Sequence, residues 1–155
     1  MPENAVFIIW STVNETGIKI IDEQHREVIG AINALYDQLR QDSDRIIWER
    51  TLFALWKYAK EHFCVEEFLM KESGYETFDE HAIQHSRYIQ KLDQLARSLR
   101  FGGSARELLD FLKGWWTGHI NGQDRLYIKH LTDFLEKHPE KENDARKRCP
   151  PRDKT

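Results

Sequence analysis

The sequence has little of several features that would each mark a familiar class of protein. Its 155 residues hold only two cysteines, Cys64 and Cys149, which can form at most one disulfide and do not make the framework of a small secreted domain. The net charge is only −3, so we expect no binding to nucleic acid. The apolar run at 5–10 is too short for a signal peptide or a membrane span. We therefore expect a cytoplasmic protein in a reducing compartment.

The end of the chain lacks large apolar side chains altogether. Residues 136–155 contain no Leu, Ile, Val, Phe, Met, Trp or Tyr, while charges and prolines accumulate there. Because such a segment buries too little apolar surface to order itself, we expect a charged, mobile tail held only by incidental contacts. We expect Cys149, which lies in this tail, to have no specific role, and Cys64 to serve in packing.

The rest of the sequence has a strong helical periodicity. Apolar residues recur at steps of three and four in segments at about 22–41, 44–73, 78–101 and 105–134. Asp22 is the expected N-cap of the first helix, and glycines after the second and third are the expected ends of those helices. Because the connections are short, the sequence predicts an all-α protein, an antiparallel up-down-up-down four-helix bundle in one domain at 1–135. Residues 1–20 form an expected arm that Trp10 closes over the bundle.

Side chains that can bind metals lie on the helical faces that should point into the core. Two pairs of them are four residues apart and so project from one face of a helix. In an antiparallel bundle all of them lie at the same end, where unpaired polar groups would cost several kcal/mol. The predicted ligands are His25, His62, Glu66, His81, His85, His119 and Asp124.

The composition of this set indicates two metal ions. Five imidazoles and two carboxylates are too many for one zinc ion and too rich in nitrogen for magnesium or calcium. They suit two first-row ions bridged by carboxylates, and we favour iron because an imidazole-rich set tolerates both its ferrous and its ferric state. Two other histidines, His130 and His138, are expected to face solvent or to pack, and Glu67 points about 100° away from Glu66 and is not counted as a ligand.

The fourth predicted helix needs a distortion. His119 and Asp124 are five residues apart, about 140° around an ideal helix, so a shared site predicts a local π-type widening there. Gly114, Gly118 and Gly122 recur nearby at steps of four. Either a close helix crossing, or room for a distorted turn or a gas path, would account for these glycines.

Four segments together resemble the hemerythrin family, and within it the single-domain bacterial members. The sequence reads IDEQH up to His25, HFCVEE from His62, HAIQH from His81 and HINGQD from His119, with Tyr127 following. The resemblance covers about residues 5–135 and extends to every ligand position.

The resemblance implies how the ligands divide between two irons. His81, His85 and His119 would complete one six-coordinate iron. His25 and His62 would hold a second iron that is one ligand short. Glu66 and Asp124 would bridge the two ions, together with an oxo or hydroxo group, and dioxygen would bind at the open position.

For function, the resemblance implies reversible dioxygen binding for oxygen transport, storage or delivery to oxygen-consuming enzymes. An alternative is a sensor of oxygen, redox state or nitric oxide that acts through a signalling partner. A di-iron oxidase or peroxide-handling enzyme is the weaker alternative, since the sequence places no evident acid, base or substrate pocket beside the ligands. We therefore expect a protein that is not an enzyme.

Overall fold

A computed structural model of the chain describes residues 7–151. All regular structure in that range is helical, which confirms the all-α prediction. The α-helices are α1 (Lys19–Arg40), α2 (Arg45–Glu72), α3 (Phe78–Arg100), α4 (Ala105–Trp115), α5 (Ile128–Lys137) and α6 (Glu140–Arg148). Residues 1–6 of the expected arm and 152–155 of the expected tail lie outside the described part. No helix within residues 7–151 is both long enough and apolar enough to cross a membrane.

The helices form the predicted bundle. Helix α1 packs along α2, α2 along α3, α3 along α4, and α4 returns to α1. Side chains spaced three and four apart on these helices meet in the centre, where each fully buried large apolar side chain contributes about 1.5 to 3 kcal/mol. Among the fully buried residues are Ile32, Leu35, Leu55, Leu92, Leu108 and Leu112.

Two glycines make the turns that end α2 and α3. Gly74 has a φ of 68° and Gly102 a φ of 88°, both in the left-handed region that glycine enters without a steric penalty. The predicted ends of the second and third helices are therefore confirmed, and the short connections keep successive helices antiparallel.

The start of α1 differs from the prediction. The helix begins at Lys19, so Asp22 lies in its first turn and is not its N-cap. The buried Asp22 carboxylate instead accepts hydrogen bonds from the Thr16 amide and hydroxyl, both at 2.8 Å, and from the Gly17 amide at 3.1 Å. Here it ties the arm to the helix, and its negative charge is favourable near a helix N-terminus.

The arm packs on the bundle beside the fourth helix. Asn33 on α1 exchanges two hydrogen bonds with the backbone of Ile8, at 2.8 and 2.9 Å. The Trp10 ring lies 6.2 Å from the Trp116 ring, and the Arg26 guanidinium lies 5.1 Å from the Trp10 ring centre. The structure thus places Trp10 where the sequence expected it, over the bundle.

The expectation of a mobile tail is wrong for its described part. Residues 140–148 form α6, and a disulfide joins Cys149 at the end of α6 to Cys64 on α2. Ala145 is fully buried among the apolar side chains at this end of the bundle. A covalent bond and several polar contacts replace the apolar burial that the segment lacks, so the roles expected for Cys64 and Cys149 are also wrong.

Candidate metal centre

The structure brings all predicted ligands together at one end of the bundle. Helix α1 supplies one of them, α2 and α3 supply two each, and the interrupted fourth helix supplies the last two. Each of the seven is at most 5% exposed: His25, His62, Glu66, His81, His85, His119 and Asp124. His130 and His138 lie elsewhere, with the His130 ring 3.1 Å from the Ser73 carbonyl oxygen.

A π-helical segment between α4 and α5 turns two of the ligands inward. The segment spans Trp116–Ile120, and the Asn121 amide donates to the Trp116 carbonyl at 2.9 Å, a bond that spans five residues. A 3-10 turn at Gln123–Tyr127 follows it. The wider turn brings His119 and Asp124 to the same side of the chain, so the predicted π-type distortion is confirmed.

The glycines near this segment do not mediate a helix crossing. A Cβ atom built at Gly114 or at Gly118 would meet no atom within 4 Å, whereas one built at Gly122 would collide with the Gly118 carbonyl oxygen. Interpreting them as a close helix crossing is therefore wrong, and Gly122 is needed for the distorted turn itself.

The two carboxylates each present one oxygen to either side of the centre. On the two-histidine side, formed by His25 and His62, Glu66 Oε1 lies 2.8 Å from His62 Nε2, and Asp124 Oδ2 lies 3.3 Å from His25 Nε2. On the three-histidine side, formed by His81, His85 and His119, the other carboxylate oxygens approach imidazole nitrogens. Glu66 Oε2 lies 3.0 Å from His85 Nε2, and Asp124 Oδ1 lies 3.0 and 3.1 Å from His81 and His119 Nε2.

This arrangement makes two overlapping donor sets that share both carboxylates. One set comprises the three-histidine side with Glu66 and Asp124, the other the two-histidine side with the same carboxylates, and the donor atoms of each set lie within 4.8 Å of one another. Several donor atoms that face the centre have no hydrogen-bond partner, namely His85 Nε2, His119 Nε2 and both Asp124 carboxylate oxygens. Buried polar atoms without partners are costly, so the residues fit a pair of metal ions.

Residues outside the predicted set orient three of the imidazoles. The Nδ1 atom of His62 lies 3.1 Å from Gln24 Oε1, that of His119 lies 2.8 Å from Gln84 Oε1, and that of His85 lies 2.8 Å from a Glu67 oxygen. Donation from Nδ1 to these oxygens leaves each Nε2 lone pair free for a metal. Sequence reasoning missed this role. Gln24 and Gln84 each directly precede a predicted histidine ligand, but only the helix crossings show which ring each one meets.

Tyr127 holds the shared glutamate from the far side. Its hydroxyl donates to Glu66 Oε1 at 2.7 Å, and the ring is fully buried. Burial, together with the Glu66 and Asp124 charges, raises the pKa of Tyr127 well above its ordinary value, so the hydroxyl stays a donor. Tyr127 thereby fixes the orientation of a carboxylate that faces both sides of the centre.

Aromatic side chains surround the imidazoles. The Trp116 ring meets the His25 ring edge-on at 6.1 Å, and Phe63 stacks on His85 with ring centres 3.9 Å apart. Trp115 stacks on His119 at 5.0 Å. These rings exclude water from the donor set, which strengthens every electrostatic contact inside it.

The metal-free site holds its protons tightly. Burial alone would lower the pKa of His62, but the Glu66 and Asp124 carboxylates raise it to about 9. Burial likewise opposes the charged form of His81, yet the Asp124 and Glu66 carboxylates, whose oxygens lie 3.0 and 3.3 Å from its Nε2, raise its pKa to about 10. The pKa of Glu66 lies well below its usual value despite burial, because the imidazolium of His62 is beside it.

These shifts predict how the metal-free protein responds to pH. A raised histidine pKa contributes stability that is complete below the unfolded value of about 6.5 and is lost as the pH rises through the folded values of about 9 and 10. The melting temperature of the chelator-treated protein should therefore fall by roughly 5 °C or more between pH 7 and pH 10. Metal affinity should rise over the same interval, since binding releases the protons. Calorimetry at fixed ionic strength measures both the melting temperature and the metal affinity, and the metal-loaded protein is the control for the melting temperature. An equal fall in melting temperature for the metal-free and the metal-loaded protein would contradict the prediction.

Comparisons with known proteins agree with this geometry. The sequence model of the hemerythrin HHE cation binding domain matches residues 16–131. The chain is 29% identical over 122 residues to a bacteriohemerythrin of Pseudomonas paraeruginosa, covering 78% of this chain and 79% of that protein. It is 28% identical over 118 residues to a myohemerythrin of Theromyzon tessulatum, covering 76% of this chain and 88% of that protein.

A solved structure gives the same result for the fold. The crystal structure of a hemerythrin point mutant superposes with a TM-score of 0.74 at 25% identity, covering 82% of this chain and 98% of the other. Residues 16–131, which the family model matches, include the elements that carry the buried histidines and carboxylates. The chain belongs to the hemerythrin family, and it carries a hemerythrin-type cation-binding site at one end of its helical bundle.

Proposed function

We propose that this protein binds dioxygen reversibly at two iron ions, for transport, storage or delivery of oxygen. The observation that carries the proposal is the inequality of the two donor sets around two shared carboxylates. The three-histidine side with Glu66 and Asp124 offers five protein ligands, and the two-histidine side with the same carboxylates offers four. The first set would therefore hold its ion with more protein ligands, and the ion held by the second set would be more open to dioxygen.

The choice of iron follows from the donors. Five imidazoles with two carboxylates suit first-row ions that change oxidation state, and they form too large a set for one four-coordinate zinc. Two irons held there would supply the electrons that dioxygen takes up on binding and returns on release. The protein side chains would hold the ions and exclude water, and Tyr127 fixes the Glu66 carboxylate.

We propose that dioxygen is bound and released without reacting with a second substrate, and we therefore infer that the protein is not an enzyme. Aromatic side chains border the two-histidine side: Trp116 lies edge-on to His25, and Phe63 is tilted against His62 with ring centres 6.0 Å apart. An aromatic wall favours retention of a small apolar gas and offers poor contacts to a polar organic substrate. We also propose the cytoplasmic location expected from the sequence, which cell fractionation can check.

A spectroscopic cycle tests the proposal directly. The iron-loaded protein is reduced without oxygen, exposed to dioxygen, and followed by its visible charge-transfer bands through repeated removal of the gas. Bands that appear and vanish over several cycles support reversible binding. One-way conversion to an oxidised form contradicts it and favours sensing or catalysis, and turnover of peroxide or of an organic substrate would support the enzymatic alternative.

Replacement of one ligand sharpens the test. His119→Ala removes an imidazole from the three-histidine side, where His119 Nε2 lies 3.1 Å from Asp124 Oδ1. We expect the dioxygen spectrum to disappear and iron content to fall by about half, because an ion stripped of one ligand is bound at least 10- to 100-fold more weakly. The control is His138→Ala, at a half-exposed histidine remote from the site, which should cycle as the wild type does. An unchanged His119→Ala spectrum would refute the assignment.

Sensing of oxygen, redox state or nitric oxide through a partner is a second candidate, favoured by the contacts of the arm. Trp10 packs on Trp116, which touches His25, and Asn14 donates to the Asn121 side chain at 2.7 Å directly after the π-helical segment. A shift at the ligands would thus reach an exposed part of the molecule. Hydrogen exchange in the arm, compared between oxygenated and oxidised protein, distinguishes the roles, since a carrier needs no difference there.

A further inference from the structure

The disulfide between Cys64 and Cys149 lies at the edge of a surface groove. The groove has a volume of about 660 Å³, and Lys60, Lys71 and Arg148 line it together with Cys64. Cys64 is exposed on α2, whereas Cys149 at the end of α6 is only 7% exposed. The Cys64 side of the bond therefore faces the groove and solvent. The three basic side chains there outnumber the one acidic side chain, Glu67, and favour the approach of a negatively charged thiolate.

Helix α6 depends on this bond for its position. Only Ala145 is buried among the residues of α6, and a helix of nine residues is not stable by itself in water. Its other attachments are polar: Arg146 pairs with Glu23 at 2.9 Å, and Lys141 pairs with Glu72 at 2.9 Å. Exposed pairs of this kind contribute little, so the disulfide is, together with the burial of Ala145, the strongest attachment of α6.

In its docked position α6 caps the start of α1. The Ile20 amide, in the first turn of α1, has no partner within its own helix and donates to Glu142 on α6 at 2.9 Å. The Glu142 carboxylate also lies where the α1 dipole favours negative charge. His25 follows on the same helix, little more than one turn further along. The disulfide is thus connected to the element that carries one predicted ligand.

We propose that Cys64–Cys149 is a redox-active disulfide that a dithiol reductant opens, and that opening it releases α6 from the start of α1. The proposal goes beyond dioxygen binding and does not depend on which metal the site holds. In the cytoplasmic location proposed above, a protein disulfide would be transient, as such a role requires.

The exchange proceeds in two displacements. A thiolate of the reductant attacks the exposed Cys64 sulfur, the bond between the two cysteines breaks, and Cys149 leaves as a thiolate that takes a proton from solvent. The second thiol of the reductant, as its thiolate, then attacks the first sulfur of the reductant, which is bonded to Cys64 in the mixed disulfide. Cys64 leaves as a thiolate and takes a proton from solvent. Two electrons pass from the dithiol to the protein, and the reductant leaves as a disulfide.

The test follows thiols and backbone protection in the folded, metal-loaded protein. Dithiothreitol is titrated in without denaturant, free thiols are counted by alkylation and mass measurement, and hydrogen exchange is measured at the Ile20 amide. We expect two thiols to appear per chain and Ile20 to exchange about tenfold faster, the effect of losing one hydrogen bond to a charged group.

Two variants separate the effect of the disulfide from the effect of the hydrogen bond between Ile20 and Glu142. Cys149→Ser should show the fast exchange with or without dithiothreitol, because the bond cannot form. Glu142→Ala, which removes the acceptor, should show accelerated exchange at Ile20 while its disulfide remains intact and reducible. If Cys149→Ser does not fold, wild-type protein that has been reduced and alkylated takes its place.

Two results would overturn the proposal. If the disulfide yields to dithiothreitol only after the protein has been unfolded, it is a structural bond. If it is reduced in the folded protein and the Ile20 amide stays protected, α6 does not depend on it. Neither readout requires dioxygen binding, so a failed oxygen cycle and a failed disulfide test are distinguishable.

Discussion

Glu66→Gln is expected to remove most of the metal from both halves of the centre, lowering the affinity of each ion by at least about tenfold. Glu66 presents one oxygen to each donor set, since Oε1 lies 2.8 Å from His62 Nε2 and Oε2 lies 3.0 Å from His85 Nε2. An amide has one carbonyl oxygen and no negative charge, so it can serve one ion at most. Metal analysis after dialysis against a weak chelator measures the loss.

The matched control is the next residue along the chain. Glu67→Gln has the same chemistry, but Glu67 contacts only the outer nitrogen of His85, at 2.8 Å, and belongs to neither donor set. An amide oxygen still accepts a hydrogen bond from that nitrogen, so the Glu67→Gln variant should keep both ions. Its affinity for the ion on the three-histidine side should fall by at most about tenfold. Equal metal content in the two variants would contradict the prediction that Glu66 serves both donor sets.

Most of the fold and the position of the site could be predicted because they depend on periodicity alone. Apolar residues three and four apart determined the four bundle helices, and short connections made them antiparallel. Antiparallel order then required His25 at the start of one helix and His62 toward the end of the next to lie at the same depth. The spacing of His119 and Asp124 even predicted the π-helical segment, because five residues on a regular helix do not share a face.

The parts that the sequence did not predict depend on contacts between distant residues. Gln24 and Gln84 orient histidines on other helices, which follows only from the way in which the helices cross. The order of α6 depends on a bond to Cys64 that joins residues 85 positions apart, and the composition of 136–155 gives no sign of it. The tail is indeed poor in apolar side chains, but a disulfide can hold a segment in place without the burial of such side chains.

Gly122→Ala is expected to destabilise the protein by about 1 to 3 kcal/mol and to reduce metal binding on both sides of the centre. A Cβ atom at position 122 would collide with the Gly118 carbonyl oxygen and would lie 3.3 Å from the Gly118 carbonyl carbon. Both are backbone atoms of the π-helical segment, so no side chain can move aside to relieve the contact. Asp124 lies two residues further on and would shift with the turn.

Gly118→Ala is the control, because it places the same methyl group in the same segment without a collision. Nothing lies within 4 Å of a Cβ atom there, so the variant should be neutral or more stable by up to about 1 kcal/mol, with metal content unchanged. Denaturant unfolding and metal analysis of both variants separate two accounts of the glycines. If Gly118→Ala is also damaging, the segment needs flexibility at several positions. If only Gly122→Ala is damaging, the segment needs one close backbone approach, and this approach positions Asp124 where both donor sets share it.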